Sequence, residues 1–133
     1  MITASISGFQ TLSVGSNTIA LDTITSGYSL SGGGIFVPES GQYIISFVTA
    51  HSSGAPTGNS FFEIRVDGVA AVPPIRAAIS GANHGTLVPS QISYNSSGVI
   101  SLNATQVVTL YANLVGGALN VYNNTSLQLV QVK

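Results

Sequence analysis

No part of this chain keeps a helical period. Gly, Ser, Asn or Pro interrupts it every few residues, and Val, Ile, Thr, Tyr and Phe fill the gaps. Short apolar runs spaced evenly between turn-forming residues dictate an all-β sandwich or barrel. Strands are expected over Ala4–Thr11, Thr18–Ile24, Tyr28–Leu30, Ile35–Val37, Gln42–His51, Ser60–Val66 and Val72–Ile79. The later ones are Gln91–Tyr94, Val99–Leu102, Val107–Leu114, Leu119–Tyr122 and Ser126–Val132, with Asn95–Gly98 read as a turn. Asp67-Gly68 is the strongest hairpin signal. Pro73 and Pro74 weaken the strand that contains them, because proline donates nothing to a ladder. The 133 residues suit one domain without internal repeats, spanning residues 1–133.

Charge narrows the function. Only 5% of residues are charged and the net charge is −1, against about 25% charged in an ordinary soluble domain. There is no electrostatic footprint for nucleic acid or an anionic membrane. No apolar run approaches the ~20 residues of a membrane span, so no membrane insertion is expected. MITASISGFQ lacks the basic start and apolar stretch of a signal peptide. The absence of cysteine removes disulfides and thiolate chemistry, and does not argue against an extracellular home. Solubility rests on Ser, Thr, Asn, Gln and Gly. Such a chain resists aggregation best when its apolar surfaces are covered by itself or by sister chains.

The faces of the strands point the same way. In GQYIISFVTAH (residues 41–51), Tyr43, Ile45 and Phe47 line one face. Ile44, Val48 and Ala50 line the other, interrupted only by Gln42 and Ser46, and neither face is charged. SFFEIRVD (residues 60–67) differs: Phe62, Ile64 and Val66 oppose Phe61, Glu63, Arg65 and Asp67, a dry face against a wet one. VVTLYANL (residues 107–114) again has an uncharged second face, with Val107 and Tyr111, and so has SLQLVQV (residues 126–132). The expectation is one charged sheet facing water and one uncharged sheet facing another chain. Its interface candidates are Ile44, Val48, Ala50, Val107 and Tyr111.

The order GGGIFVPESGQYIISFV, FEIRVDGVAAV, GVISLNATQVVTLYANL and SLQLVQVK resembles the globular heads of the complement-q and tumour-necrosis-factor-like superfamily. Within it the likeness is nearest to the C-terminal heads of collagen-like glycoproteins of the bacterial spore exosporium. It spans most of the chain, most strongly residues 33–72 and 99–133. The resemblance implies a ten-stranded jelly roll that assembles as a homotrimer through its uncharged inner sheet. The superfamily's G-x-Y motif falls on Gly41 and Tyr43, and the aromatic that often follows two residues later is Ile45 here. Asp67-Gly68 takes the place of its asparagine-glycine hairpin. Its closing strand runs from a core Phe to a core Leu, where this chain has Leu127 and Val132. Gly41, Tyr43, Ile45, Phe47, Leu127 and Val132 are thus the expected protomer-core markers.

Catalytic and metal chemistry find little support. His51 and His84 stand at loop or strand ends without zinc-like spacing, and read best as surface polar residues. Glu63 and Asp67 share a strand face about 13 Å apart at ~3.3 Å per residue, too far for a glycosidase carboxylate pair. No Gly-x-Ser-x-Gly elbow is present, and Gly32-Gly33-Gly34 opens no helix. No enzyme activity, metal or cofactor is expected. Three Asn-x-Ser/Thr matches, at Asn95, Asn103 and Asn123, are explained by chance in so Asn/Ser/Thr-rich a chain.

Two functions of different class remain. The first is a trimeric head that caps and registers a collagen-like or fibrous stalk on a spore or cell surface; a phage or capsid fibre tip would use the same trimer. The second is a lectin-like module for a surface glycan. Its candidates are His51, Asn59, Arg76, Asn83 and His84, with Tyr94 or Tyr122 as stacking platforms.

Overall fold

A computed structural model describes residues 1–51, 59–79 and 93–133 of the chain. These residues form fourteen strands and no helix. The strands are β1 (Ile2–Ser5), β2 (Gln10–Leu12), β3 (Gly15–Ile19), β4 (Thr23–Ile24), β5 (Leu30–Ser31), β6 (Gly34–Phe36) and β7 (Gly41–Val48). They continue with β8 (Phe61–Val66), β9 (Val69–Ala70), β10 (Arg76–Ala78), β11 (Asn95–Leu102), β12 (Val107–Leu114), β13 (Leu119–Val121) and β14 (Ser126–Val132). Two of the expected runs are split: Ala4–Thr11 becomes β1 and β2, and Thr18–Ile24 straddles β3 and β4.

All pairings are antiparallel. One sheet runs β11-β7-β14-β1-β4 and the other β10-β8-β12-β6-β5. β3 also pairs with β12, β9 with β8, and β13 with β2 as a small separate ribbon. The core lies between the two large sheets. The five-stranded sheet contributes Ile2, Ala4, Tyr43, Ile45, Phe47, Ile100, Leu102, Leu127 and Leu129 to it. The other contributes Ile19, Ile35, Phe62, Ile64, Val108, Leu110, Ala112 and Leu114. Each set follows the two-residue period of its strand, as a sandwich requires.

Asp67-Gly68 makes the β8–β9 hairpin. Both residues have positive φ, 51° and 79°, the backbone of the two-residue turn that matches strand twist. Asp67 Oδ1 also accepts from the Val107 amide at 2.9 Å, which ties the turn to β12.

β11 corrects the turn expected at Asn95–Gly98. Those four residues pair with β7 from Asn95↔Val48 to Gly98↔Ile45. Their composition is turn-like, but a long partner strand supplies the ladder, so tertiary context overrides local preference. Gly98 has a packing reason to be in a strand: a Cβ there would stand 2.9 Å from Ile75 Cγ1.

Candidate functional site

The sandwich has two outer faces. On the five-stranded sheet, cross-strand register builds rows of outward side chains. Ser101, Gln42 and Val132 form one row, and Val99, Ile44 and Val130 the next. Ser97, Ser46, Gln128 and Thr3 follow, and then Asn95, Val48, Ser126, Ser5 and Thr23. None of these residues is charged. Ile44, Val48, Val99, Val130 and Val132 are between 36% and 49% exposed, so an apolar patch with hydroxyl and amide neighbours lies open on this face. Beyond its end, a cleft of about 450 Å³ is lined by Met1, Tyr28, Glu39, Gln131 and Lys133, among others.

On the other outer face, the surroundings of Glu63 are covered by their own side chains. Glu63 sits in the middle of a row with Tyr111 on β12 and Arg76 on β10. Its carboxylate accepts from Arg65 Nε at 2.9 Å and from Arg76 Nη2 at 2.7 Å. The Arg65 guanidinium lies 3.4 Å over the Tyr111 ring, and that of Arg76 lies 3.9 Å over Phe61. The Tyr111 hydroxyl donates to Ser16 Oγ at 2.8 Å. Glu63, expected on a wet face, is therefore only 2% exposed. The arginines and aromatics cover it, leaving an excess of one positive charge on the cluster.

This geometry corrects the expected interface set. Ile44 and Val48 do point outward from the uncharged sheet, but Val107 and Tyr111 belong to the opposite one. One surface cannot contain all four. Tyr111 is buried beneath Arg65, not held open for a neighbour. The charged β8 and the uncharged β12 are hydrogen-bonded neighbours, so charge does not segregate strand by strand between the sheets. Ala50 is also buried. After Val48 the chain leaves the alternating ladder: the Ala50 amide donates to Thr125 Oγ1, and the Ala50 carbonyl accepts from the Tyr122 amide. The 122–125 segment therefore covers Ala50. Val99 and Val130 were missed, although each stands at the outward parity of its strand.

Tyr43, Ile45, Phe47 and Leu127 are fully enclosed. Gly41 is half-buried, with the Gln131 side chain lying over it. Val132 is corrected to the outer face. An interval of five residues from Leu127 places it on the opposite side of a strand, a signal present in the sequence.

Of the ligand candidates among the described residues, Asn59 and Arg76 line one groove, and His51 lies apart from them. His51 is wholly buried, against the expectation of a surface residue. Its ring stacks on Tyr94 at 5.3 Å and 11° and tilts against Phe62 at 5.4 Å. Phe62 faces the core, whereas Arg76 lies on the outer surface of the same sheet. Asn59 is exposed in the turn before β8. Tyr122 is half-buried beside the exposed Phe9, 6.4 Å away. Asn83 and His84 lie outside the described residues. Among the described residues, no three His, Asp or Glu side chains cluster as a metal site would need.

The remaining charges make local ties. Asp22 accepts from the Ser7 amide and hydroxyl at 2.9 Å and from Thr23 Oγ1 at 3.0 Å. The Ser7 hydroxyl does most to hold its carboxyl below the usual range. The Tyr43 hydroxyl donates to the Glu39 carbonyl at 2.7 Å. Burial pushes its pKa up, and the Glu39 charge adds to this.

No protein-family model and no curated protein matches the chain. Among solved structures it is similar to the Eiger TNF of S. frugiperda. That likeness has a TM-score of 0.63 at 12% identity, over 100% of this chain and 92% of the other. The shared property is the fold: a TNF-like all-β jelly-roll sandwich.

Proposed function

We propose that this chain is a non-catalytic head domain that assembles as a homotrimer through the outer face of its five-stranded sheet. The carrying observation is the uncharged patch of Ile44, Val48, Val99, Val130 and Val132. A face without charge is complementary to a copy of itself, since no like charges oppose one another across a symmetry axis. Around Glu63 the opposite face is covered by Arg65 and Arg76, whereas the patch of Ile44, Val48, Val99, Val130 and Val132 stays open. The TNF-like fold supports three copies.

In the full reading the trimer caps and registers a collagen-like or fibrous stalk on a bacterial spore or cell surface. The sequence likeness to exosporium collagen-like heads supports that role, as does the low-charge Ser/Thr/Gly/Val composition.

Light scattering on a size-exclusion column tests the assembly. The native chain should elute at three times the protomer mass of 13.5 kDa. Val48→Asp should elute as a folded monomer, because three carboxylates cannot share a dry interface. A clean trimer in that variant would refute the placement.

A further inference from the structure

The Arg76 guanidinium has one engaged edge and one open edge. Nε and Nη2 both donate to Glu63 Oε1, at 3.1 and 2.7 Å. Among the described residues, Nη1 has no hydrogen-bond partner, and the side chain is 47% exposed. Arg76 lines a groove of about 300 Å³ together with Asn59, Ser60, Phe61 and Ala78. Phe61 gives it an apolar flank. The exposed side-chain amide of Asn59 has no hydrogen-bond partner among the described residues either. Ser60, by contrast, is buried, and its hydroxyl accepts from the Val115 amide at 2.9 Å.

We infer that this groove binds an acidic saccharide. The carboxylate would take the open edge of Arg76, the ring would lie against Phe61, and a ring hydroxyl would meet the Asn59 amide. A guanidinium edge matches a carboxylate with two parallel hydrogen bonds. The cluster behind it holds two arginines against one glutamate, so its net charge favours an anion. Glu63 fixes the guanidinium before the ligand arrives, which lowers the ordering cost of binding. The groove lies on the sheet opposite the proposed trimer face, so the two readings stand or fall separately.

The test is a nuclear magnetic resonance titration of the ¹⁵N-labelled chain with glucuronate, glucose and acetate. Glucuronate should move the Asn59 side-chain amide, the Arg76 Nε–H and the Ala78 amide, saturating in the low-millimolar range, about what one bidentate pair and a small apolar contact supply. Glucose should leave these signals in place. Arg76→Gln should weaken glucuronate binding at least about tenfold. Arg76→Lys, which keeps the charge and loses the fork, should also weaken it. Lys133→Gln, a cation lost from the end of the opposite sheet, should leave the affinity within about twofold. The remaining signals report whether each variant keeps the fold. Three results would overturn the assignment: equal shifts with glucose, acetate binding as tightly as glucuronate, or undiminished binding by Arg76→Gln and Arg76→Lys. Absence of any shift at about 50 mM glucuronate would overturn it as well.

Discussion

Glu63 shows how a single residue depends on its cover. Its carboxylate is buried on the outside of a sheet, where Arg65 and Arg76 each satisfy one oxygen. Replacing either arginine by Ala leaves the other in place and should cost about 1 kcal/mol. Removing both leaves a carboxylate without a cation in a site that Tyr111 and Phe61 still shield, and should cost about 3–5 kcal/mol. Urea unfolding of the two single variants and the double variant, at one protein concentration, would measure this excess over additivity. Tyr43 gives a pH prediction. Its folded pKa is raised, so its contribution is fully present below the unfolded value of about 10 and is lost as pH climbs through the higher folded value. Tyr43→Phe should remove a phenolate step above the ordinary tyrosine value of about 10 from an alkaline absorbance titration. It should also cost about 1 kcal/mol at neutral pH through the lost bond to Glu39. The burial of Tyr43 was legible from alternation together with the G-x-Y motif at Gly41 and Tyr43. That of Glu63 was not, because it depends on which strands lie beside β8.

At the scale of elements, two strand glycines carry different burdens. A Cβ on Gly34 would meet the Val108 carbonyl oxygen at 2.6 Å, and neighbouring β12 backbone cannot yield without opening β6 from it. A Cβ on Gly98 would meet Ile75 Cγ1 at 2.9 Å, a side chain that can adjust. Gly34→Ala should therefore cost more than Gly98→Ala, about 2–3 against about 1 kcal/mol. Ile75→Ala should relieve the second clash and not the first. Thermal unfolding of the three single variants and the two pairs would check this order. β7, β8, β12 and β14 were readable because each alternates over six or more residues. The second half of β11 was expected over Val99–Leu102, and its first half was hidden by Asn95-Ser96-Ser97-Gly98, whose turn-like composition is overruled by an eight-residue partner. β1 and β2 were merged because Gly8 alone did not mark the corner between them.

For the molecule as a whole, the sequence showed two sheets and an uncharged surface, but it could not assign strands to sheets. Alternation tells which side chains share a face of one strand; it does not tell which strands share a sheet. That is why Val107 and Tyr111 were grouped with Ile44 and Val48, although a full sandwich lies between them. The trimer prediction gains a control from this. Thr109→Asp, on the outer face of β12 opposite Arg65, should leave the oligomer intact where Val48→Asp dissolves it. The native chain should also melt at a temperature that rises with protein concentration, and the Val48→Asp variant should not.

The bare face of the five-stranded sheet has a kinetic side. Charged partners find each other through long-range attraction, and association rates then climb far above the uncharged baseline. In the proposed trimer, no charge on the face guides one copy toward the next. Encounter must rely on diffusion and chance orientation, at roughly 10⁵–10⁶ M⁻¹s⁻¹ whatever the salt. Three such heads meet quickly only when something else keeps them close. Tethering chains side by side raises their effective concentration to the millimolar range, so a surface of this kind assembles best where its copies are already gathered.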